Sequence, residues 1–140
     1  MSRIVLWDAS ALLRLLWPAA RTSEVQAARD RQLSAGDDLR VVIHTLRECY
    51  ATLTRSIEAN GYEIPPNEAS EAIQALLAAN AIALVPDPPD AYALWLNLCE
   101  RTATKGILCH DAYLAACALA LDVPVYALDR DFARFGVRTV

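Results

Sequence analysis

The stretch Ile4-Val5-Leu6-Trp7-Asp8-Ala9-Ser10 determines how the rest of the chain is interpreted. Four apolar residues, beginning with two that are β-branched, predict a short buried strand, and Asp8 ends it. Ser10 can cap the helix predicted next, at residues 11–17, which Pro18 ends. A buried strand that runs directly into a helix is typical of an α/β unit.

The same alternation of strand and helix continues along the chain. Further helices are predicted at 22–35, 45–58, 68–79, 90–103 and 112–121, and further strands at 40–44, 82–85, 123–128 and, at the edge, 137–140. No two-residue hairpin turn joins these strands, so helical crossovers must connect them. The pattern predicts a three-layer α/β/α domain, residues 1–140, with a mostly parallel sheet of four to five strands.

Composition excludes several classes of protein. Apolar residues make up 55% of the 140 residues and the formal net charge is −4, which is incompatible with intrinsic disorder. The longest apolar run, residues 112–121, is much shorter than the roughly 20 residues of a membrane-spanning helix. Asp8 and Arg14 interrupt the apolar N-terminal stretch, which makes it a poor export signal. We therefore expect a cytoplasmic protein that is not bound to a membrane.

Acidic residues stand where the predicted strands end. Asp8 and Asp129 directly follow strands, Glu48 lies in the first turn of the helix after the second strand, and Asp111 opens the most apolar helix. Parallel strands present their carboxyl ends at one edge of a sheet, so the four acids are expected to converge. Carboxylates that repel one another in apolar surroundings are stabilised by a hard divalent cation, Mg²⁺ or Mn²⁺. Such an ion can support phosphodiester hydrolysis.

Each acid also has a local explanation. Asp8 could cap the turn after its strand, Asp111 could be an ordinary helix cap, and Asp129 could cap a short turn. Thr45-Leu46-Arg47-Glu48 matches a capping box, in which Glu48 needs no other role. The pattern alone leaves these alternatives open for each acid taken singly.

Four blocks of sequence, in their order and spacing, resemble a PIN-domain ribonuclease, and more narrowly a VapC-type toxin of a type II toxin–antitoxin system. The blocks are DASALL at 8–13, HTLRE at 44–48, HDAYLAACA at 110–118 and LDRDF at 128–132. The resemblance implies an α/β/α fold, a Mg²⁺- or Mn²⁺-dependent endoribonuclease activity, a homodimer, and a small cognate antitoxin that blocks the active site.

The resemblance also implies roles for particular residues. Asp8, Glu48, Asp111 and Asp129 match the family's acidic quartet, which holds the metal and carries the catalysis. Ser10 matches a small polar residue that orients the first carboxylate or a water molecule.

Three positions near these acids qualify the match. Ala127 stands where the family usually has Thr or Ser, and Ala9 where it often has Thr. Asp131 is a second candidate for the fourth acid, but Asp129 is closer to the strand end.

The basic residues suggest how RNA could be bound. All but one of the 13 are arginines, whose guanidinium groups can hold phosphate through two hydrogen bonds. Arg14, Arg47 and Arg130 are close in sequence to the acids and are predicted to contact the RNA backbone, with ion pairing as the alternative. His44 and His110 are interpreted as core or rim residues, and Trp95 as a core residue. Two other functions stay open: a non-catalytic PIN-like module that binds RNA or protein, and a housekeeping RNA-processing nuclease.

Overall fold

The computed structural model describes residues 2–129 and 131–140. Within them, four strands form one parallel sheet in the order β3-β2-β1-β4. The strands are β1 Ile4–Trp7, β2 Asp38–Val41, β3 Ile82–Leu84 and β4 Val125–Tyr126. The helices are α1 Ala9–Leu16, α2 Thr22–Ser34, α3 Ile43–Thr54, α4 Pro66–Ala78, α5 Ala91–Arg101 and α6 Leu108–Leu121, with 3₁₀ helices at Ile57–Ala59 and Asp131–Phe135.

Two apolar cores, one on each face of the sheet, confirm the predicted three-layer α/β/α fold. Val5 and Trp7 of β1 face the core formed with α1 to α4, whereas Leu6 faces the core formed with α5, α6 and the second 3₁₀ helix. β1 is therefore buried on both sides, as expected of a central parallel strand. Among the described residues, every helix is too short or too polar to cross a lipid bilayer.

Several predicted boundaries were wrong by a few residues. The strand predicted at 40–44 lies at Asp38–Val41, because pairing with β1 begins at Ile4 and Asp38, and Val42 already caps α3. The strand predicted at 123–128 keeps only the two residues that pair with Leu6 and Trp7. At 137–140 the structure has a single bridge, between Val125 and Thr139, rather than a strand.

Gly61 lies in the turn that follows the first 3₁₀ helix and packs against the end of α3. A Cβ atom at this position would lie 2.6 Å from the carbonyl carbon of Arg55, which is backbone and cannot rotate away. The turn is held by backbone bonds on both sides, including Gly61 N–H to Ser56 O at 2.9 Å and Glu63 N–H to Arg55 O at 3.0 Å. The close approach therefore fixes how the chain leaves α3.

We expect Gly61→Ala to destabilise the protein by about 3 kcal/mol, because the added methyl group forces the backbone apart. Gly36→Ala is the matched control: Gly36 has a φ of +81° but open space around it, so it reports only the cost of left-handed backbone, about 1 kcal/mol. Urea unfolding measures both variants. Equal losses of stability would contradict the steric argument.

Candidate active site

Asp8 lies at the carboxyl end of the central strand and is 5% exposed. Its backbone N–H continues the sheet ladder by donating to the Tyr126 carbonyl, 2.9 Å away. Its carboxylate caps α1 by accepting a hydrogen bond from the Ser10 backbone N–H at 3.1 Å. The local explanation and the site prediction are thus compatible, since one side chain begins the helix and also faces the cluster of acids described below.

Ser10 connects two segments that are distant in sequence. Its hydroxyl donates to the Asp8 carboxylate at 2.7 Å and accepts from the Leu128 backbone N–H at 3.0 Å. The helix cap that the sequence assigned to Ser10 is in fact Asp8. Ser10 instead holds the Asp8 carboxylate and fixes the segment that leads to Asp129.

Glu48 does not take part in the helix cap that the sequence suggested for it. The capping box is wrong, because α3 begins two residues before Thr45, with Val42 at its cap and no side-chain cap bond. The helix brings His44 one turn before Glu48, and His44 Nε2 lies 2.8 Å from the Glu48 carboxylate. The same Nε2 lies 3.2 Å from the His110 carbonyl oxygen, so α3 and α6 are joined at this point.

The remaining acids come from α6 and from the segment after β4. Asp111 lies within the first turn of α6 and does not cap it, since the cap position is Ile107. Asp129 accepts a hydrogen bond from the Asp131 backbone N–H at 3.3 Å, which is the short-turn role considered above. Carboxylate oxygens of Asp111, Asp129 and Asp131 all lie within 4.8 Å of one another. The structure therefore places Asp131 in the same group as Asp129.

The electrostatics of Asp111 connect this group of three acids with Asp8 and Glu48. Burial, followed by the negative charges of Asp8, Glu48, Asp129 and Asp131, raises the pKa of Asp111 to about 7. Burial also raises the pKa of Asp8, with a further contribution from Glu48, while the bonds from Ser10 oppose the shift. The chain thus brings the predicted quartet to one edge of the sheet, together with Asp131. Their roles as ligands and catalysts stay predictions.

A hard divalent cation fits this group of side chains. The donors are carboxylate oxygens, which Mg²⁺ and Mn²⁺ prefer. In the described part of the chain, the ion pair between Glu48 and His44 is the only one that any of these acids makes. The negative charge is therefore largely uncompensated by protein cations, and it adds to the effect of burial in raising the pKa of Asp111.

A family model for the PIN domain matches residues 5–137. The chain belongs to the PIN-domain family. Among solved structures, Mycobacterium tuberculosis VapC20, a toxin that cleaves the sarcin–ricin loop, superposes with a TM-score of 0.69 at 17% identity, covering 97% of this chain and 98% of that one. FitAcB from Neisseria gonorrhoeae gives 0.70 at 18% identity, with 96% and 95% covered. VapBC2 from Rickettsia felis, bound to a fragment of its promoter DNA, gives 0.67 at 10% identity, with 97% and 96% covered. No curated protein sequence matches the chain.

A cleft of about 440 Å³ opens beside Glu48 in this PIN domain. Glu48 and the predicted Arg47 line it, and so does Arg55, which sequence reasoning missed. Helical periodicity was the available signal, because residues 47, 51 and 55 lie one turn apart on one face of α3 and all line the cleft. His44 and His110 form another part of the wall and are rim residues, as one of their two interpretations had it.

The other two predicted arginines have different positions. Arg14 is half-buried, donates a hydrogen bond to the Tyr62 hydroxyl and places its guanidinium over the same ring. Arg130 lies outside the described residues. The structure thus associates Arg47, but not Arg14, with the cleft next to Glu48.

We expect Asp111→Asn to stabilise the metal-free protein more at pH 8 than at pH 5. Asp111 has a pKa of about 7 when folded and the ordinary 3.8 when unfolded, so its favourable contribution is complete below 3.8 and is lost as the pH rises through 7. The loss amounts to roughly 1.4 kcal/mol per unit of pKa shift. Urea unfolding in EDTA across this range measures it.

Glu71→Gln, an exposed position on α4, is the control for a change of net charge. If the effect of Asp111→Asn on the free energy of unfolding is the same at both pH values, the acids do not form the coupled group described here.

Proposed function

We propose that the protein is a metal-dependent endoribonuclease that hydrolyses RNA phosphodiester bonds and acts as the toxin of a toxin–antitoxin pair. The observation that carries the proposal is the convergence of acids from separate segments of a PIN domain. Carboxylate oxygens of Asp111, Asp129 and Asp131 lie within 4.8 Å of one another, and the charges of Asp8 and Glu48 also act on Asp111. A group of like charges at the edge of a parallel sheet, with oxygen donors only, suits a cation-assisted reaction on phosphate.

The acids share one role in this proposal, which is to hold the ion that carries the catalysis. Asp8, Glu48, Asp111 and Asp129 would hold Mg²⁺ or Mn²⁺, with Asp131 as a further ligand in reach. When bound, such an ion lowers the pKa of a water molecule and neutralises charge on the phosphate.

Other residues prepare the site for the ion and the substrate. Ser10 keeps the Asp8 carboxylate oriented toward the group through its two bonds. His44 holds one oxygen of Glu48 until the ion and the substrate bind.

Arg47 and Arg55 are the proposed contacts to the RNA backbone. Both are exposed at the cleft beside Glu48, where a phosphate could approach the acids along α3. Arg14 is less suited, since Tyr62 already engages its guanidinium. Arg130 remains a predicted phosphate contact. Two arginines without a longer basic stripe favour a substrate that is held partly by its bases, as in a single-stranded loop.

A small antitoxin is the proposed protein partner. The chain is similar in fold to VapBC2 and FitAcB. VapBC2 supports the proposal because it was solved as a VapBC assembly on DNA. The exposed apolar side chains Ile43, Tyr50 and Leu84 offer a surface for such a partner. A homodimer and a cytoplasmic location complete the proposal.

We expect Asp8→Asn to abolish cleavage while the fold is kept, because asparagine also caps helices but does not bring the charge that a cation requires. The measurement is cleavage of single-stranded RNA in Mg²⁺ or Mn²⁺, with and without excess EDTA. Asp90→Asn, an exposed acid before α5, is the control and should keep full activity. Undiminished cleavage by Asp8→Asn, or in EDTA, would refute the proposal.

We expect Ser10→Ala to weaken Mn²⁺ binding by about 10- to 100-fold, the usual effect of losing a group that orients a metal ligand. The variant loses the hydroxyl that holds the Asp8 carboxylate, and the pKa of Asp8 rises further, so protons compete better with the ion. Titration calorimetry with Mn²⁺ measures the affinity. Ser23→Ala, exposed on α2, should leave it unchanged, and an equal affinity in both variants would contradict the assigned role of Ser10.

A further inference from the structure

A second cleft, of about 390 Å³, adjoins the one beside Glu48. The two clefts share His44, Arg47 and His110 in their walls. The second cleft is otherwise lined by Asp87, Trp95, Cys109 and Tyr113. Its volume is at the small end of the roughly 300–1,000 Å³ of ligand pockets, which suits a single ring system better than a large molecule.

Aromatic rings dominate this second cleft. The ring centroids of His44 and Tyr113 are 4.9 Å apart with planes at 53°, and those of Trp95 and Tyr113 are 6.1 Å apart at 75°. His110 lies 5.4 Å from His44 at 36°. Trp95 packs against the core on the α5–α6 face, as the sequence suggested, but it is only half-buried and its other side stands in the cleft wall.

Hydrogen bonds fix these rings without a ligand. Trp95 Nε1 donates to the Cys109 carbonyl at 2.9 Å, and the Tyr113 hydroxyl donates to the Asp87 carboxylate. His44 is held by its bond to Glu48. A pocket whose walls are already ordered loses little conformational entropy when it binds a flat ring.

We propose that this cleft takes one unpaired nucleobase of the RNA substrate, at a nucleotide next to the bond that is cut. The proposal rests on the proposed function, since it concerns the same substrate and the same site. His44 stands in the walls of both clefts and bonds to Glu48. A base bound among the aromatic rings of the second cleft would therefore place the sugar–phosphate backbone of its nucleotide beside the acids.

The charges of the second cleft also favour a base over a phosphate. Asp87 would repel a phosphate inside the cleft, whereas Arg47 in the shared wall can hold the phosphate that joins the two nucleotides. Stacking on aromatic side chains accepts any base that is free of a partner, so the substrate class is RNA with an unstacked, single-stranded nucleotide at the cleavage site.

The test compares normal and abasic RNA. Single-stranded oligoribonucleotides that together contain every dinucleotide step identify a cleaved bond, and the bases around that bond are then removed one at a time. In the wild-type protein we expect one abasic position to lower kcat/KM by about 5- to 100-fold, the range for one lost stacking partner. In Tyr113→Leu, normal and abasic RNA should be cut at equal rates, because the partner ring is gone.

One further variant is a control for the loss of a ring, and another is a substitute for Tyr113→Leu. Tyr92→Leu removes a tyrosine of α5 that is 69% exposed and outside the cleft, and should keep the full abasic effect. Trp95→Leu removes a second wall of the cleft and replaces Tyr113→Leu if circular dichroism shows that the latter is unfolded. An abasic effect as large in the cleft variant as in the wild type overturns the proposal.

A binding measurement separates this proposal from the proposed function. Asp8→Asn is mixed with single-stranded RNA that carries 2-aminopurine at successive positions, and the fluorescence of the probe is followed. Quenching at one position that disappears in the double variant Asp8→Asn/Tyr113→Leu supports the base pocket. This result holds even if no RNA is cleaved and the proposed nuclease activity fails. Cleavage without such position-specific quenching supports the nuclease and overturns the pocket.

Discussion

The two hydrogen bonds of the Ser10 hydroxyl are the interaction on which the arrangement of acids depends. One bond holds the Asp8 carboxylate at the end of β1, and the other holds the Leu128 backbone two residues beyond β4. Both groups are at least partly buried, so each bond forms where water competes little. The first and last segments of the site are therefore fixed to each other by one small side chain rather than by the sheet alone.

Burial and mutual repulsion set the chemical state of the site. The same apolar layers that stabilise the sheet remove water from Asp8 and partly from Asp111, and this raises the pKa of both carboxyl groups. Without a cation, a proton on Asp111, whose pKa is raised to about 7, lowers the repulsion near neutral pH. The tension between a stable core and a cluster of charges is typical of functional sites, where stability is sacrificed for chemistry.

The fold and the convergence of the acids were predictable because both depend on local sequence patterns. Each strand is a short apolar run, and Asp8 and Asp129 follow strand ends whose common direction is imposed by helical crossovers. Helix starts were harder to predict. α6 begins at Leu108 with no side-chain cap, and α3 begins before the capping box that Thr45 and Glu48 suggested.

The parts of the site that escaped prediction depend on contacts between segments distant in sequence. Asp87 and Trp95 belong to a loop and a helix that meet α6 only in the folded chain, so no local pattern marks them as walls of a cleft. Arg55 is a different case, because its spacing of eight residues from Arg47 is two helical turns and places both side chains on the same face of the chain.

The shortness of β4 explains how the chain can depart from its family at Ala127. Only Val125 and Tyr126 pair with the central strand, and the next backbone N–H that is held, that of Leu128, is bound by Ser10. A hydroxyl at position 127 is therefore not needed to anchor this segment, and the Ala127 side chain packs against the core formed with α5 and α6. An alanine at position 127 is thus compatible with an Asp129 carboxylate that lies within 4.8 Å of those of Asp111 and Asp131.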